Sequence, residues 1–166
     1  MSLKTKKEEI RINGTLKEIT TMRDSEGKLI HKIIKPLMVE FHLRDILQVM
    51  IGASILAIPV GFTQETWDLG QEIALKNVLG FLAISLTFIS LFVYYNFYRN
   101  HGLKKHFKEF LKRVISTYFV SFLVVALLLT LINKAPWSTD WILAFKRTVL
   151  VAFPASMSGA VADGMK

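Results

Sequence analysis

Two acidic residues, Glu65 and Asp68, have the spacing of an ion-binding pair. They are three positions apart, so on a helix they would share one face. In a symmetric oligomer each would form a ring of carboxylates, and such rings attract and select cations at pore mouths. We therefore predict a pore mouth at these two residues. The alternative is an ordinary acidic outer loop, in which Glu65 pairs with Arg147.

A second set of polar side chains lies in a segment near the C-terminus that is dense in small residues. Small residues recur there every four positions, which lets helix backbones approach closely and also suits a helix beside a narrow polar path. The polar groups in this segment predict a pore lining made by Ser156, Ser158 and Asp163. The alternatives are a closely packed helix and, for Asp163, a charge at the membrane interface.

Two prolines lie within the apolar segments that carry these side chains. Proline removes a helical N–H and leaves a carbonyl four residues earlier without its donor. We therefore predict helix kinks at Pro59 and Pro154. The freed carbonyls would face protein or water rather than lipid.

The composition argues against several classes of protein. The chain has no cysteine, which excludes disulfides and thiol nucleophiles, and it carries no known catalytic or nucleotide-binding motif. We therefore predict that it is not an enzyme and has no cofactor. No metal site is expected either, because His101 and His106 lack partners at ligand spacing. The net charge of +8 reflects basic flanks of apolar blocks, so we predict no nucleic acid partner.

The elements that must position these residues are membrane helices, because most of the chain after the first 45 residues falls into apolar blocks. Four transmembrane spans are predicted, at about 46–63, 77–98, 114–132 and 141–162. Only 148–162 is free of charge in the last span, which at about 22 Å is too short for a core of about 30 Å. The span therefore takes in Lys146 and Arg147, which must snorkel or pair.

Basic residues in the short flanks set the orientation of these spans. Six lie between the second and third spans, namely Arg99, Lys104, Lys105, Lys108, Lys112 and Arg113. Because such loops stay on the inner side, we predict a multi-pass protein of the cell membrane with both termini cytoplasmic. The same loop would contact anionic lipid headgroups.

The N-terminal segment differs in pattern from the rest of the chain. Residues 1–44 alternate polar and apolar side chains between turn signals, which predicts a cytosolic β-hairpin that could extend to three strands. Residues 45–166 form the predicted transmembrane domain, so the fold class is an all-α membrane protein with a small hairpin. An isolated hairpin is marginally stable, so it would need support from the membrane domain or from further copies of the chain.

The stretch from Pro59 to Trp67, with its Thr-Gln-Glu-Thr-Trp core, and the segment from Phe153 to Met165 resemble a family of small prokaryotic integral membrane proteins of unknown function. The resemblance covers about residues 42–166. It implies the same four-span class and brings no catalytic residues.

The sequence as a whole predicts a homo-oligomer in the lipid bilayer that forms a pathway for inorganic cations. The mouth would be Glu65 and Asp68, and the small-residue helix would line the path. One alternative is a non-conducting scaffold or regulatory subunit whose basic loop and hairpin bind a partner. Another is a small transporter in which the two prolines mark broken helices.

Overall fold

The structure is a computed structural model, and it describes residues 4–13, 15–24, 28–37, 40–99, 103–104 and 106–165. The chain divides into two compact units, Met1–Glu40 and Phe41–Lys166. Lys105 of the basic loop, His101 and the C-terminal Lys166 lie outside the described residues.

The first unit is a three-stranded antiparallel sheet in the order β1–β2–β3. The strands are β1 (Lys4–Ile12), β2 (Thr15–Arg23) and β3 (Leu29–Pro36). Ile19 and Leu37 are buried, and Glu40 closes the unit by an ion pair with Arg11 and a hydrogen bond from the Leu16 N–H. The predicted N-terminal β-structure is therefore confirmed, with three strands rather than two.

The second unit is entirely helical over its described residues. Its helices are α1 (Leu43–Gly61), α2 (Gln64–Glu72), α3 (Leu75–Val93), α4 (Phe107–Leu131) and α5 (Trp141–Gly164). A π-helical segment, Tyr94–Tyr98, extends α3. The first three predicted spans correspond to α1, to α3 with its π-helical extension, and to α4. The short α2, which follows α1 after two residues, was not predicted as a helix.

Three of these helices are long and apolar enough to cross a membrane: Leu43–Gly61, Leu75–Tyr98 and Phe107–Leu131. The predicted fourth span, 141–162, is a helix of 24 residues in the structure. Lys146 and Arg147 lower its hydropathy, and it is not among the membrane-capable helices. By length and composition, the described residues therefore contain three membrane-capable helices rather than the four predicted.

Helix α5 is the centre of the helical unit because it packs against each of the other four helices. Its approach to α1 is close enough to need glycine. A Cβ atom added at Gly52 of α1 would lie 2.5 Å from the Cβ of Ala162 and 2.8 Å from the Ser158 carbonyl oxygen. One face of the small-residue segment thus packs against α1 within a single chain.

We predict that Gly52→Ala destabilises the helical unit by about 1–3 kcal/mol, because the added methyl group overpacks the contact of α1 with α5. Gly80→Ala is the matched control, since a Cβ at Gly80 has no neighbour within 4 Å. The control should be neutral or stabilising by up to about 1 kcal/mol, because alanine favours helix over glycine. Equilibrium unfolding in mixed micelles measures both, and equal stabilities for the two variants would contradict the close contact.

Candidate functional site

Three charged side chains meet inside the helical unit. The Arg113 guanidinium donates through Nε to Asp163 Oδ2 at 3.0 Å and through a terminal nitrogen to Asp45 Oδ2 at 3.0 Å. The side chains of Arg113, Asp45 and Asp163 are 0%, 4% and 1% exposed. We call these three residues the ion cluster. Burying charge is costly unless it is paired and hydrogen-bonded, so the cluster holds together the three helices that contribute to it.

Each member of the ion cluster stands near one end of a helix. Asp45 is in the first turn of α1, where it also accepts a hydrogen bond of 2.9 Å from the His42 N–H. A carboxylate there is favoured by the helix dipole. Asp163 is in the last turn of α5, where the dipole disfavours an anion, so its bonds to Arg113 are what stabilise it. Arg113 lies two turns into α4.

Aromatic rings enclose the guanidinium of Arg113. Its central carbon is 3.8 Å from the ring centroid of Phe97 and 5.6 Å from that of Phe41. Phe97 belongs to the π-helical segment, as does the fully buried Tyr98, which packs edge-on against Phe110. Cation–π contacts of this kind are strongest where water is excluded. The π-helical segment therefore supplies a wall of the ion cluster.

A stripe of buried hydroxyl groups continues from the ion cluster along α4. Thr117 and Ser121 follow Arg113 at four-residue spacing, and both are 0% exposed. The Ser121 hydroxyl donates to the Thr117 carbonyl at 2.8 Å. The Thr117 Oγ1 and, on α1, the Gln48 Oε1 are buried and have no hydrogen-bond partner among the described residues. Such atoms are rare in packed interiors and mark a place that could receive a cation or water.

The predicted lining residues lie in the interior of one chain. Asp163 is in the ion cluster, and Ser156 is 0% exposed with its hydroxyl donating to the Phe153 carbonyl at 3.1 Å. Ser158 is partly buried, and its backbone carbonyl borders Gly52. Asp163 thus joins two charges that the sequence did not link to it.

The predicted mouth residues lie at the other end of the unit. Glu65 and Asp68 are both exposed on α2, which follows the C-terminal end of α1. Neither is near the ion cluster, since α1 separates them from Asp45 along its whole length. Pro59 and Pro154 both lie inside helices, and α5 continues from Pro154 to Gly164 without an unwound segment.

Cations tie α2 to the start of α5 at this end. Arg147 donates to the backbone carbonyls of Trp67 at 3.1 Å and Lys134 at 2.9 Å, and Lys146 donates to the Gln71 carbonyl at 3.0 Å. Trp67 also donates to the Gly61 carbonyl at 2.8 Å. We call these contacts the α2 clamp. Arg147 therefore bonds backbone carbonyls, and the alternative pairing with Glu65 is not formed among these described residues.

Sequence reasoning missed the ion cluster because it assigned Arg113 to a basic loop. One signal could have revealed it. Arg113, Thr117, Ser121, Val125 and Leu129 recur every four residues, and all five are buried on one face of α4. A cation that begins a buried small-polar stripe needs an acidic partner on a neighbouring helix.

Comparisons with known proteins identify one family. The model of the family described as "Putative integral membrane protein (DUF2391)" matches residues 12–163. The match confirms the resemblance seen in the sequence and extends it into the N-terminal sheet, which the resemblance had left out. Neither the curated proteins nor the solved structures contain a match to this chain.

We predict that Arg113→Met destabilises the helical unit by about 3–5 kcal/mol, because it leaves two carboxylates in a buried site without their guanidinium. Lys112→Met is the matched control, since Lys112 is the preceding residue of the same helix and is exposed. Unfolding in mixed micelles should show a large loss for the first variant and none for the second. Similar stabilities would mean that Arg113 is not buried in a charge pair.

Proposed function

Because the chain belongs to the DUF2391 family of integral membrane proteins, we propose that it is a four-span protein that carries inorganic cations along its buried polar stripe. The observation that carries this proposal is the ion cluster together with the Thr117 hydroxyl, which has no partner within the described part of the chain. Ionisable groups within membrane helices are costly and usually mark ion or proton pathways. The proposed activity is transport without catalysis.

The contacts at its two ends support α5 as a fourth span. Asp163 at its end meets the start of α1 through the ion cluster, whereas Arg147 near its start meets α2 beyond the end of α1. Helix α5 therefore runs antiparallel to α1 over its whole length. Its 24 residues correspond to about 36 Å, more than the core thickness of about 30 Å. The α2 clamp satisfies the two cations that make α5 less apolar than its neighbours.

If the helical unit has four spans, the positions of the helix ends imply how the protein is oriented in the membrane. The ion cluster, the start of α4 and the end of α5 then lie on the side of the basic loop, which the distribution of Lys and Arg assigns to the cytoplasm. Both termini would be cytoplasmic in the cell membrane, with α2 on the outer face.

The chemistry of the stripe favours cations over anions. The ion cluster contains two carboxylates and one guanidinium, and the groups that follow it present hydroxyl and amide oxygens. Oxygen ligands of this kind replace part of the hydration shell of a cation. On the outer face, the exposed Glu65 and Asp68 would raise the local cation concentration. In a homo-oligomer they would form the acidic rings expected of a mouth.

A non-conducting scaffold is the second candidate, favoured by the packing of α1 against α5. Gly52 leaves no space for even a methyl group, and Gly159 has Ser121 Oγ at 3.0 Å from the position of its missing Cβ. A path through this unit must therefore run beside these contacts and not between them. If the interior is dry throughout, the ion cluster serves only to fix the helices.

We predict that purified protein in liposomes admits protons or alkali cations, and that Thr117→Val slows this entry by roughly tenfold. The substitution keeps the shape of the side chain and removes an oxygen whose bond to a charged species is worth about 1.5 kcal/mol. Thr87→Val is the matched control, since the Thr87 hydroxyl is exposed on α3 and donates to its own helix. The control should conduct like the natural protein.

Flux that is equal in both threonine variants would exclude the stripe as the path. Changes of ion preference in Glu65→Gln and Asp68→Asn, with the Thr117 variant unaffected, would instead favour a pore on an oligomer axis. No flux of any cation at several voltages and pH values would favour the scaffold. The oligomer mass in detergent should be taken on the same preparations.

We predict that single cysteines at Ser138 and Met165, both exposed, react with an impermeant thiol reagent from opposite sides of the membrane. The chain has no native cysteine, so each label reports one position. Ser138→Cys precedes α5 and Met165→Cys follows it, so labelling from the same side would show that α5 does not cross.

A further inference from the structure

An open apolar groove of about 720 Å³ runs between α3 and α5 on the surface of the helical unit. Phe88 and Phe92 of α3 form one wall, and Met157 and Val161 of α5 form the other. The volume is that of a site for a small organic molecule. One wall is the membrane-capable α3 and the other is α5, the proposed fourth span, so an occupant would come from the membrane.

The groove lining is almost entirely apolar, and side chains with polar tips stand at one end of it. Tyr94, Tyr95 and Asn96 line the end at which α3 passes into the π-helical segment. The Arg99 guanidinium stacks over the Tyr95 ring, 4.9 Å from its centroid, and Arg99 is exposed. An apolar trough that ends in tyrosines and a cation matches a molecule with a hydrocarbon chain and an anionic head.

The backbone at this end is unusual. Tyr94–Tyr98 is π-helical, a conformation that is rare and often marks a functional site. The extra residue in the turn lets Tyr94, Tyr95 and Asn96 line the groove while Phe97 covers the Arg113 guanidinium. A molecule in the groove therefore contacts the same short segment that walls the ion cluster.

We propose that this groove is a binding site for an anionic phospholipid. One acyl chain lies between Phe88, Phe92 and Met157, and the phosphate group is bound by Arg99 at the membrane surface. The charge of Arg99, which stacks on the groove-lining Tyr95, favours a molecule with an anionic head over a second copy of the chain. The proposal rests on α5 being a membrane span, as proposed above and tested by cysteine labelling, and is independent of cation transport.

Native mass spectrometry of the whole protein in detergent tests this site, with added phosphatidylglycerol and phosphatidylcholine as probes. Arg99→Gln should weaken retention of phosphatidylglycerol by about fivefold and leave phosphatidylcholine unchanged. Met157→Trp should weaken both lipids, because the indole ring fills the groove. Lys76→Gln and Leu79→Trp are the matched controls, since both residues are exposed at the opposite end of α3.

Equal lipid retention in the natural protein, in Arg99→Gln and in Met157→Trp would overturn the proposal. The proposal would also be overturned if Met157→Trp lost an oligomer but bound lipid as before. The groove would then be a contact between copies of the chain. If the unfolding curve shows that Met157→Trp does not fold, Val161→Trp replaces it. Arg99→Gln alone still tests whether Arg99 binds the headgroup. If Lys76→Gln lost the preference for phosphatidylglycerol as strongly as Arg99→Gln, the lipid would be attracted by net charge alone. That result would also overturn the site.

Discussion

The structure of the helical unit depends on the buried pairing of Arg113 with Asp45 and Asp163. Each charge removed from water carries a penalty of several kcal/mol, which only close hydrogen bonds can offset. The bonds observed, at about 3.0 Å, require the starts of α1 and α4 and the end of α5 to lie at one level. Residues 68 and 50 positions apart in the chain are thereby brought into contact. This constraint sets which helix ends lie at the same end of the helical unit.

Packing and the α2 clamp make this arrangement possible. Gly52 and Gly159 let α1, α4 and α5 approach closely next to the ion cluster, which helps to exclude water from it. At the far end, Arg147 and Lys146 bond backbone carbonyls rather than acidic side chains. These bonds tie the polar first turns of α5 to the carbonyls of α2 and of Lys134. The two ends together hold α5 at the centre of the unit.

Much of this fold could be predicted from the sequence, because hydropathy and alternation are local signals. They predicted α1, α3 and α4 and the N-terminal strands. The ion cluster was not predicted, because Asp45 and Arg113 stand in polar flanks whose ordinary role is to face water, and its one signal was the four-residue stripe of α4. The nine-residue α2 is polar and gave only the shared face of Glu65 and Asp68. The apolar groove ends at the π-helical turn, for which the Tyr-Tyr-Asn-Phe-Tyr sequence gives no recognised signal.

The central claim is most directly tested by the coupling energy between Arg113 and Asp163. The stabilities of Arg113→Met, Asp163→Asn and the double variant, measured by unfolding in mixed micelles, complete a double-mutant cycle with the natural protein. If the two residues form a buried pair, the double variant should lose less free energy of unfolding than the two single variants lose together. The difference should be about 1–3 kcal/mol. Losses that simply add would contradict the ion cluster and, with it, the placement of α5 among the other helices.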